Sequence, residues 1–257
     1  GSPRDPPQSV GSTPNDGGQG MESRQRSVMV TGAAGHLGRA VAAAFAAQGA
    51  RLALVDRDQA ALDAAFGGAS VKAGEAVLLA ADLLDDAQVG AAVDRAMQRL
   101  GAIDALCHLA GGFRMGEAVH ETTDANWDFL FDINTRTLRN IARAVVPRML
   151  AQGAGRIVTV GAASASRGLA QMGAYTAAKS AAIRLTEAMS AELRERNINV
   201  NCVLPTIIDT PENRAAMPGA DPARWVAPAA LADVIVFLCS DAARAVHGAA
   251  LPVSGLS

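Results

Sequence analysis

Short apolar segments alternate with longer amphipathic segments along most of the chain. The apolar runs predict strands at residues 28–31, 51–55, 76–80, 105–109, 156–160, 198–203 and 249–253. The amphipathic segments predict helices at residues 37–48, 85–99, 127–150, 174–196 and 228–240, with a short alanine-rich helix before the third strand. Apolar strands that alternate with helices are typical of a parallel sheet covered on both faces. The pattern therefore predicts an α/β fold with one doubly wound parallel sheet.

Residues 1–26 differ in composition from the rest of the chain. Gly, Pro, Ser, Asp, Asn and Gln dominate there, hydrophobic residues are nearly absent, and Met21 resembles an original start. We interpret this stretch as a disordered leader, partly derived from a vector, and residues 27–257 as a single domain. The leader lacks the apolar core of a signal peptide, and no other run approaches the roughly 18 apolar residues of a membrane span. We expect a cytoplasmic protein without a membrane partner.

Charge and composition exclude several classes of function. Half of the 257 residues are hydrophobic, which is enough for a large core, and the net charge of −2 gives no indication of a nucleic-acid partner. The three cysteines lie in apolar surroundings without a pairing pattern, so we expect reduced thiols in the core. The four histidines show no metal-ligand spacing, and no metal site is predicted.

A glycine-rich turn follows the first predicted strand. Its glycines allow the backbone to bend tightly, to approach a ligand closely and to pack the next helix onto the sheet. The helix then directs its free N–H groups and positive dipole end at the turn, which suits a pyrophosphate. The candidate cofactor-binding residues in this turn are Gly32, Gly35, His36, Leu37 and Gly38. Alone, such a turn is weak evidence, because many tight strand-to-helix turns bind nothing.

The second strand ends in an acidic residue, Asp56, at the distance from the turn where a ribose-binding acid is found. A carboxylate at this point accepts hydrogen bonds from both ribose hydroxyls and repels a 2′-phosphate, which favours NAD(H). Arg57 follows directly and offers a cation to that phosphate, so NADP remains possible. The small molecule predicted here is a nicotinamide dinucleotide.

Tyr175 and Lys179 are the most specific catalytic signal. Residues four apart share one face of a helix, so the phenol and the ammonium group are predicted to lie together. A nearby cation stabilises phenolate and is expected to lower the pKa of the tyrosine. The pair is then suited to exchange a proton with a carbonyl or an alcohol. The alternative is an ordinary exposed pair on a helix, although Tyr175 is the only tyrosine in the chain.

From about Val28 to Gly255 the chain resembles the short-chain dehydrogenase/reductase family. The matching positions are Thr31-Gly32, Gly35, Gly38, Asp56, Asp82-Leu83, Ala110-Gly111, Asn134, Tyr175, Lys179, Pro205, Ile208, Thr210 and Val253-Ser-Gly-Leu. The resemblance implies a Rossmann-type fold and an NAD(P)-dependent oxidoreductase. It also implies a homodimer or homotetramer, which the small-residue face of helix 174–196 would allow.

The resemblance assigns roles to most of these residues. Asp82 and Leu83 would flank the adenine, and Ala110 and Gly111 would pass close to the cofactor. Lys179 would hold the nicotinamide ribose, and Asn134 would anchor a water in a proton relay through Lys179. Backbone at Ile208 and the hydroxyl of Thr210 would bind the carboxamide, and Pro205 is a further cofactor-binding position.

Three positions depart from the family pattern. His36 and Thr206 each occupy a position where glycine is usual. The catalytic serine normally lies thirteen residues before the tyrosine, and that position is Ala162. Ser164 takes over in one interpretation; in the other no serine acts, and Ser164 and Ser166 only bond local backbone.

The segment 161–174 and the segment 208–225 are similar to quinonoid dihydropteridine reductases, which also lack the serine and use NADH. This similarity points to a quinonoid, pterin-like ring as substrate, beside the conventional carbonyl or alcohol. The alternative to an enzyme is a nucleotide-binding regulator with little turnover.

We interpret residues 209–225 as a polar substrate lid. In this lid, Met217 and Trp225 either stack on a flat substrate or attach the lid to the core. Phe113, Arg114 and Met115 are expected to line the same pocket.

Overall fold

The computed structural model describes residues 25–67 and 76–257, so the predicted leader up to residue 24 lies outside the described residues. The strands are β1 Ser27–Thr31, β2 Arg51–Asp56, β3 Ala76–Ala80, β4 Ala105–His108, β5 Gly155–Val160, β6 Ile198–Pro205 and β7 Ala250–Val253. The helices are α1 His36–Ala47, α2 Gln59–Phe66, α3 Asp86–Leu100, α4 Asp124–Phe131, α5 Thr137–Gln152, α6 Gly173–Leu193, α7 Pro211–Ala216 and α8 Pro228–Leu238.

In the described part of the chain, seven strands form one sheet in the order β3-β2-β1-β4-β5-β6-β7, and every neighbouring pair is parallel. The chain runs outward from β1 through β2 to β3, and then returns to the other side of β1 at β4. The loops that follow β1 and β4 therefore leave the sheet at adjacent points and turn to opposite sides. Ligands of doubly wound sheets bind at this switch point.

Side chains of the central strands alternate between two hydrophobic clusters, one on each face. On β1, Val28 and Val30 lie in the cluster with α1, α2 and α8, whereas Met29 lies in the cluster with α3 and α5. Leu52 and Leu54 of β2 point to the first cluster, and Ala53 and Val55 to the second. The predicted fold, a doubly wound α/β sheet with helices on both faces, is confirmed.

The long helix predicted at 127–150 differs from the structure at its start and in its middle. It begins at Asp124, because the Thr123 hydroxyl accepts a hydrogen bond from the N–H of Asn126 and caps the first turn. Residues Asp132–Arg136 then form a π-helical turn between α4 and α5. Such turns occur often at functional sites, and this one contains Asn134.

The segment 209–225, predicted as a polar loop, contains helix α7. Thr210 caps its N-terminus through its hydroxyl and Pro211 occupies the first turn, where a missing N–H costs nothing. A 3₁₀ turn, Pro222–Arg224, follows. The segment is therefore more ordered than the polar composition indicated.

Among the described residues no helix is both long and apolar enough to cross a membrane. All three cysteines are buried free thiols, as predicted.

Candidate active site

The turn after β1 and the loop after β4 touch each other at the switch point. Gly32 has φ of +69°, and a Cβ added there would lie 2.8 Å from the backbone nitrogen of Ala110. A Cβ on Gly38 would lie 2.3 Å from the carbonyl oxygen of Gly32, because α1 packs directly on the turn. Gly35 has an ordinary φ of −68° and more room. Glycine is therefore required at positions 32 and 38 because any side chain there would overlap neighbouring backbone.

The N-terminus of α1 fits an anionic group. Gly35 is the N-cap residue and supplies no side-chain cap, and the first turn carries no acidic residue. By contrast, the carboxylates of Asp58 and Asp85 cap α2 and α3. The N–H groups of α1 therefore remain for a ligand such as the pyrophosphate of a dinucleotide.

The side chain of His36, which replaces the usual glycine, is directed away from this backbone. The guanidinium of Arg39 donates to its Nδ1 at 2.8 Å, so Nε2 carries the proton and donates to Glu212 of α7 at 3.1 Å. His36 therefore connects the turn after β1 to α7 in the segment 209–225. Sequence reasoning did not predict this contact, because Glu212 lies far along the chain.

Asp56 lies at the end of β2 with both carboxylate oxygens held. Oδ2 accepts from the N–H of Ala34 at 3.0 Å, and Oδ1 accepts from the N–H of Arg57 at 2.8 Å. Each oxygen has a further lone pair, so the carboxylate is oriented and still able to accept from ribose hydroxyls.

Asp82 and Leu83 follow β3 and contact different parts of the molecule. The Asp82 carboxylate accepts from the N–H of Leu84 at 2.9 Å, which fixes the turn. Leu83 is buried and its carbonyl accepts from the side chain of Asn140 at 2.9 Å. These two hydrogen bonds hold the backbone of Asp82 and Leu83, the residues that the resemblance places beside the adenine.

Asn134 fixes the loop after β4 to the π-helical turn. Its Oδ1 accepts from the N–H of Gly112 at 3.1 Å, and its Nδ2 donates to the carbonyls of Gly112 and Leu130. A Cβ on Gly111 would lie 3.0 Å from this Oδ1 and 3.1 Å from the Nζ of Lys179. The structure therefore brings together four predicted residues: Ala110, Gly111, Asn134 and Lys179.

Lys179 is buried, and its Nζ donates to the carbonyl of Val160 at 2.9 Å. Burial lowers the pKa of this ammonium group from 10.5 to about 8, so it remains mostly protonated at neutral pH. Burial and the Lys179 charge lower the pKa of the neighbouring His108 to about 3. His108 is therefore neutral, and its ring contacts the hydroxyls of Thr31 at 2.8 Å and Thr137 at 3.4 Å.

Tyr175 lies one helical turn from Lys179, at the edge of two small hydrophobic clusters. The ring of Phe113 packs edge-on against it, with centroids 4.8 Å apart. Burial raises the pKa of the phenol to about 12. This direction is opposite to the lowering expected from Lys179, because desolvation of the buried phenol dominates.

The region of the absent serine is apolar where it approaches Tyr175. Ala162 is buried in a cluster with Ala165, Ile183, Cys202 and Leu204, against which Tyr175 packs. Ser164 belongs to the turn Ala163–Ser166 and makes no hydrogen bond within the described chain, whereas Ser166 donates to the carbonyl of Ala163. The local-backbone interpretation thus holds for Ser166 and not for Ser164.

The predicted carboxamide end follows β6. Pro205 is the last residue of that strand, and the carbonyl of Ile208 accepts from the side chain of Asn213 at 2.8 Å. The hydroxyl of Thr210 is used as the cap of α7. Trp225 is 7% exposed, which supports its role in attaching the lid to the core rather than in stacking on a substrate.

A pocket of about 270 Å³, including its open mouth, lies in front of Tyr175. It is enclosed by the loop after β4, by α4 and by the start of α6, and its lining residues are Arg114, Met115, Glu117, Thr122, Asn126, Leu130, Gln171, Met172, Gly173, Ala174 and Tyr175. Arg114 and Met115 were predicted here. Met217 and Trp225 of the lid do not line it. Gln171, with φ of +60°, and Asn126 were not identified from the sequence.

Comparisons with known proteins show the family of this chain. The sequence model described as short chain dehydrogenase matches residues 26–220. The D-threitol dehydrogenase of Mycolicibacterium smegmatis is 34% identical over 88% of this chain and 90% of its own length.

Two solved structures share the fold over almost their whole length. A levodione reductase is 31% identical with a TM-score of 0.82, covering 90% of this chain and 96% of its own. A 3-ketoacyl-(acyl-carrier-protein) reductase from Brucella melitensis, complexed with NADH, is 28% identical with a TM-score of 0.80, covering 90% and 97%. This chain belongs to the short-chain dehydrogenase/reductase family and is an NAD(P)-dependent oxidoreductase.

Proposed function

We propose that the protein is an NADH-dependent reductase of a small ketone, with Tyr175 as the proton donor. The observation that carries this proposal is the position of Tyr175, which lines the pocket and lies one helical turn from the buried Lys179. The relatives described above are, by their names, dehydrogenases and reductases, which supports a carbonyl or alcohol as the reacting group.

The fixed carboxylate of Asp56 supports NADH over NADPH. A ribose with two hydroxyls can donate to this carboxylate, whereas a 2′-phosphate would meet a like charge. Arg57 gives its backbone N–H to Asp56, and its side chain is exposed at the same edge. The turn at the start of α1 would hold the pyrophosphate.

The nicotinamide, when bound, supplies the hydride. Tyr175 then donates its phenolic proton to the carbonyl oxygen, which becomes the alcohol. Burial raises the pKa of this phenol to about 12, so at neutral pH it carries the proton that a general acid needs. Lys179 would hold the nicotinamide ribose, and Asn134 would fix the loop and the water through which the phenol regains a proton.

The test is the variant Tyr175→Phe. We expect the turnover number to fall by about 10²-fold or more, because general acid catalysis is lost, while the dissociation constant for NADH measured by calorimetry changes less than twofold. The variant Phe113→Leu, which changes the ring packed on Tyr175 but keeps the phenol, serves as the control and should retain most activity. An equally active Tyr175→Phe enzyme would contradict the proposal.

The buried Ala162 favours a second candidate, a quinonoid ring as substrate. Such a ring needs a hydride and a proton but no second hydroxyl to polarise a ketone. The variant Ala162→Ser should then raise activity on simple ketones more than on quinonoid dihydropterin. A uniform effect on both would remove this candidate. The regulator named in the sequence analysis would, by contrast, show no measurable NADH oxidation with any of these substrates.

We also propose a homodimer or homotetramer. Large apolar side chains are exposed on α8 and β7, including Phe237 at 45% and Leu251 at 36%. Light scattering after gel filtration tests this proposal, and a monomer would contradict it.

A further inference from the structure

Two ionisable side chains other than Tyr175 line the pocket, and they differ in how many of their hydrogen-bonding groups are used. Glu117 accepts from the side chain of Asn126 at 2.5 Å and from the N–H of Thr123 at 3.2 Å, so each of its oxygens has a partner at the start of α4. A helix N-terminus stabilises a carboxylate in this position. Glu117 is therefore held as part of the pocket wall.

Arg114 is fixed in place but keeps most of its donors. Its Nη1 donates to the Oδ1 of Asn126 at 2.7 Å, and its guanidinium carbon lies 3.7 Å from the centroid of the Phe129 ring. Stacking on an aromatic face holds the planar group in one orientation. A guanidinium has five N–H donors, of which one is used within the described chain.

The side-chain amide of Asn126 lies between Arg114 and Glu117 and bonds to both of them. A guanidinium can only donate and a carboxylate can only accept, so the amide of Asn126 has its oxygen towards Arg114 and its nitrogen towards Glu117. The amide separates the two charges, and no direct ion pair neutralises Arg114 within the described residues. Within the described residues, the pocket thus contains one cation with unused donors, and one carboxylate whose two oxygens each already accept one hydrogen bond.

The rest of the lining fits an apolar body that carries one anionic group. Met115, Leu130 and Met172 supply apolar surface, and the reacting phenol of Tyr175 lies in the same pocket. We infer that this pocket takes small carbonyl or alcohol substrates that carry a carboxylate or similar anionic group, which Arg114 binds while the reacting carbon faces Tyr175. This inference rests on the proposed function, because it places the substrate in front of the proposed proton donor.

A binding experiment tests whether the pocket recognises an anionic group, and it does not depend on turnover. The probes are cyclohexanecarboxylate and cyclohexanecarboxamide, which share shape and differ in charge, titrated into the protein saturated with NAD⁺ and followed by calorimetry. For the parent protein we expect the carboxylate to bind about tenfold or more tightly than the amide. Hydrogen bonds between a guanidinium and a carboxylate, both charged, are stronger than those between a guanidinium and a neutral amide. Arg114→Gln should abolish this preference, and Arg114→Lys should restore only part of it, because an ammonium group lacks the planar fork.

The control is Arg244→Gln, which removes another exposed guanidinium that is not part of the pocket lining. It should bind both probes as the parent does. Tyr175→Phe should also keep the preference for the carboxylate, so loss of turnover in that variant would not be mistaken for loss of anion binding. Equal binding of the two probes to the parent, or no binding of either at millimolar concentration, would overturn the inference.

Discussion

The turn after β1 and the loop after β4 lie side by side at the switch point, but different interactions determine their shapes. We call residues 31–38 together with Asp56 the nucleotide half of the site. Backbone contacts determine its shape, because a side chain at Gly32 or Gly38 would overlap neighbouring backbone. The substrate half consists of residues 113–117 and 171–173. It contains exposed side chains such as Arg114, and its two segments are joined by a hydrogen bond from the N–H of Gly116 to the carbonyl of Gln171 and by a parallel bridge between Glu117 and Met172. The first half therefore tolerates little change, whereas the second can vary in charge and size.

Gly38→Ala should produce the largest loss among single changes in the nucleotide half. The added Cβ would lie 2.3 Å from one carbonyl oxygen and 2.5 Å from another, so the helix must move away from the turn. We expect the free energy of unfolding, measured by urea denaturation, to fall by about 3 kcal/mol. Gly35→Ala is the matched control and should change it by less than about 0.5 kcal/mol. Equal stability of the two variants would show that the turn is not sterically limited.

His108, at the junction of the two halves, should make stability depend on acid pH. Its pKa is about 3 when folded and near 6.5 when exposed, so below pH 6.5 the unfolded chain binds the proton that the folded protein excludes. The free energy of unfolding should therefore fall as pH falls through this window, by up to about 1.4 kcal/mol per pH unit from this group. His108→Asn should show a shallower slope in urea denaturation between pH 6.5 and 4.5. Identical slopes would contradict a buried neutral imidazole.

Asp56→Asn tests whether charge in the nucleotide half selects the cofactor. We expect NADH to bind about tenfold more weakly and NADPH more tightly, because the carboxylate no longer repels a 2′-phosphate. Calorimetry with both cofactors measures the change, and Asp63→Asn, an exposed acid on α2, controls for net charge. If the ratio of the two dissociation constants stays as in the parent, Asp56 does not select the cofactor.

Ser164→Ala should have the smallest effect. The apolar cluster that contacts Tyr175 contains Ala162, and Ser164 lies in the following turn. We expect a change in turnover of less than about threefold, against the ≈10²-fold typical of a lost proton-transfer or polarising group. Ser166→Ala is the matched control in the same turn. A loss of 10²-fold in Ser164→Ala alone would show that this serine replaces the absent one.

The sequence predicted the sheet well because buried parallel strands have a strong pattern. The third predicted strand, 76–80, coincides with β3, and each of the other predicted strands overlaps an observed one. The nucleotide half was also predictable, since the spacing of glycines and the position of Asp56 follow from steric and charge requirements of a dinucleotide. Helix α7 could have been predicted from Thr210-Pro211-Glu212, which is a typical start of a helix.

The substrate half was only partly predictable. Arg114 and Met115 were expected near the ligand, but Asn126 and Gln171 enter the pocket through contacts between segments distant in sequence. The positive φ of Gln171 has no signature, because residues other than glycine seldom adopt it. The raised pKa of Tyr175 depends on the burial of its side chain, which does not follow from the spacing of Tyr175 and Lys179.

The most direct test of the account is a crystal structure of the protein with bound NADH. The account predicts the adenosine ribose on the carboxylate of Asp56, the pyrophosphate at the start of α1 and the nicotinamide at the pocket. The hydride-bearing carbon and the phenolic oxygen of Tyr175 should then both face one position where a carbonyl carbon would lie at about 3–3.5 Å from the hydride donor. A nicotinamide ring bound away from Tyr175, with no space for a reactant between them, would contradict it.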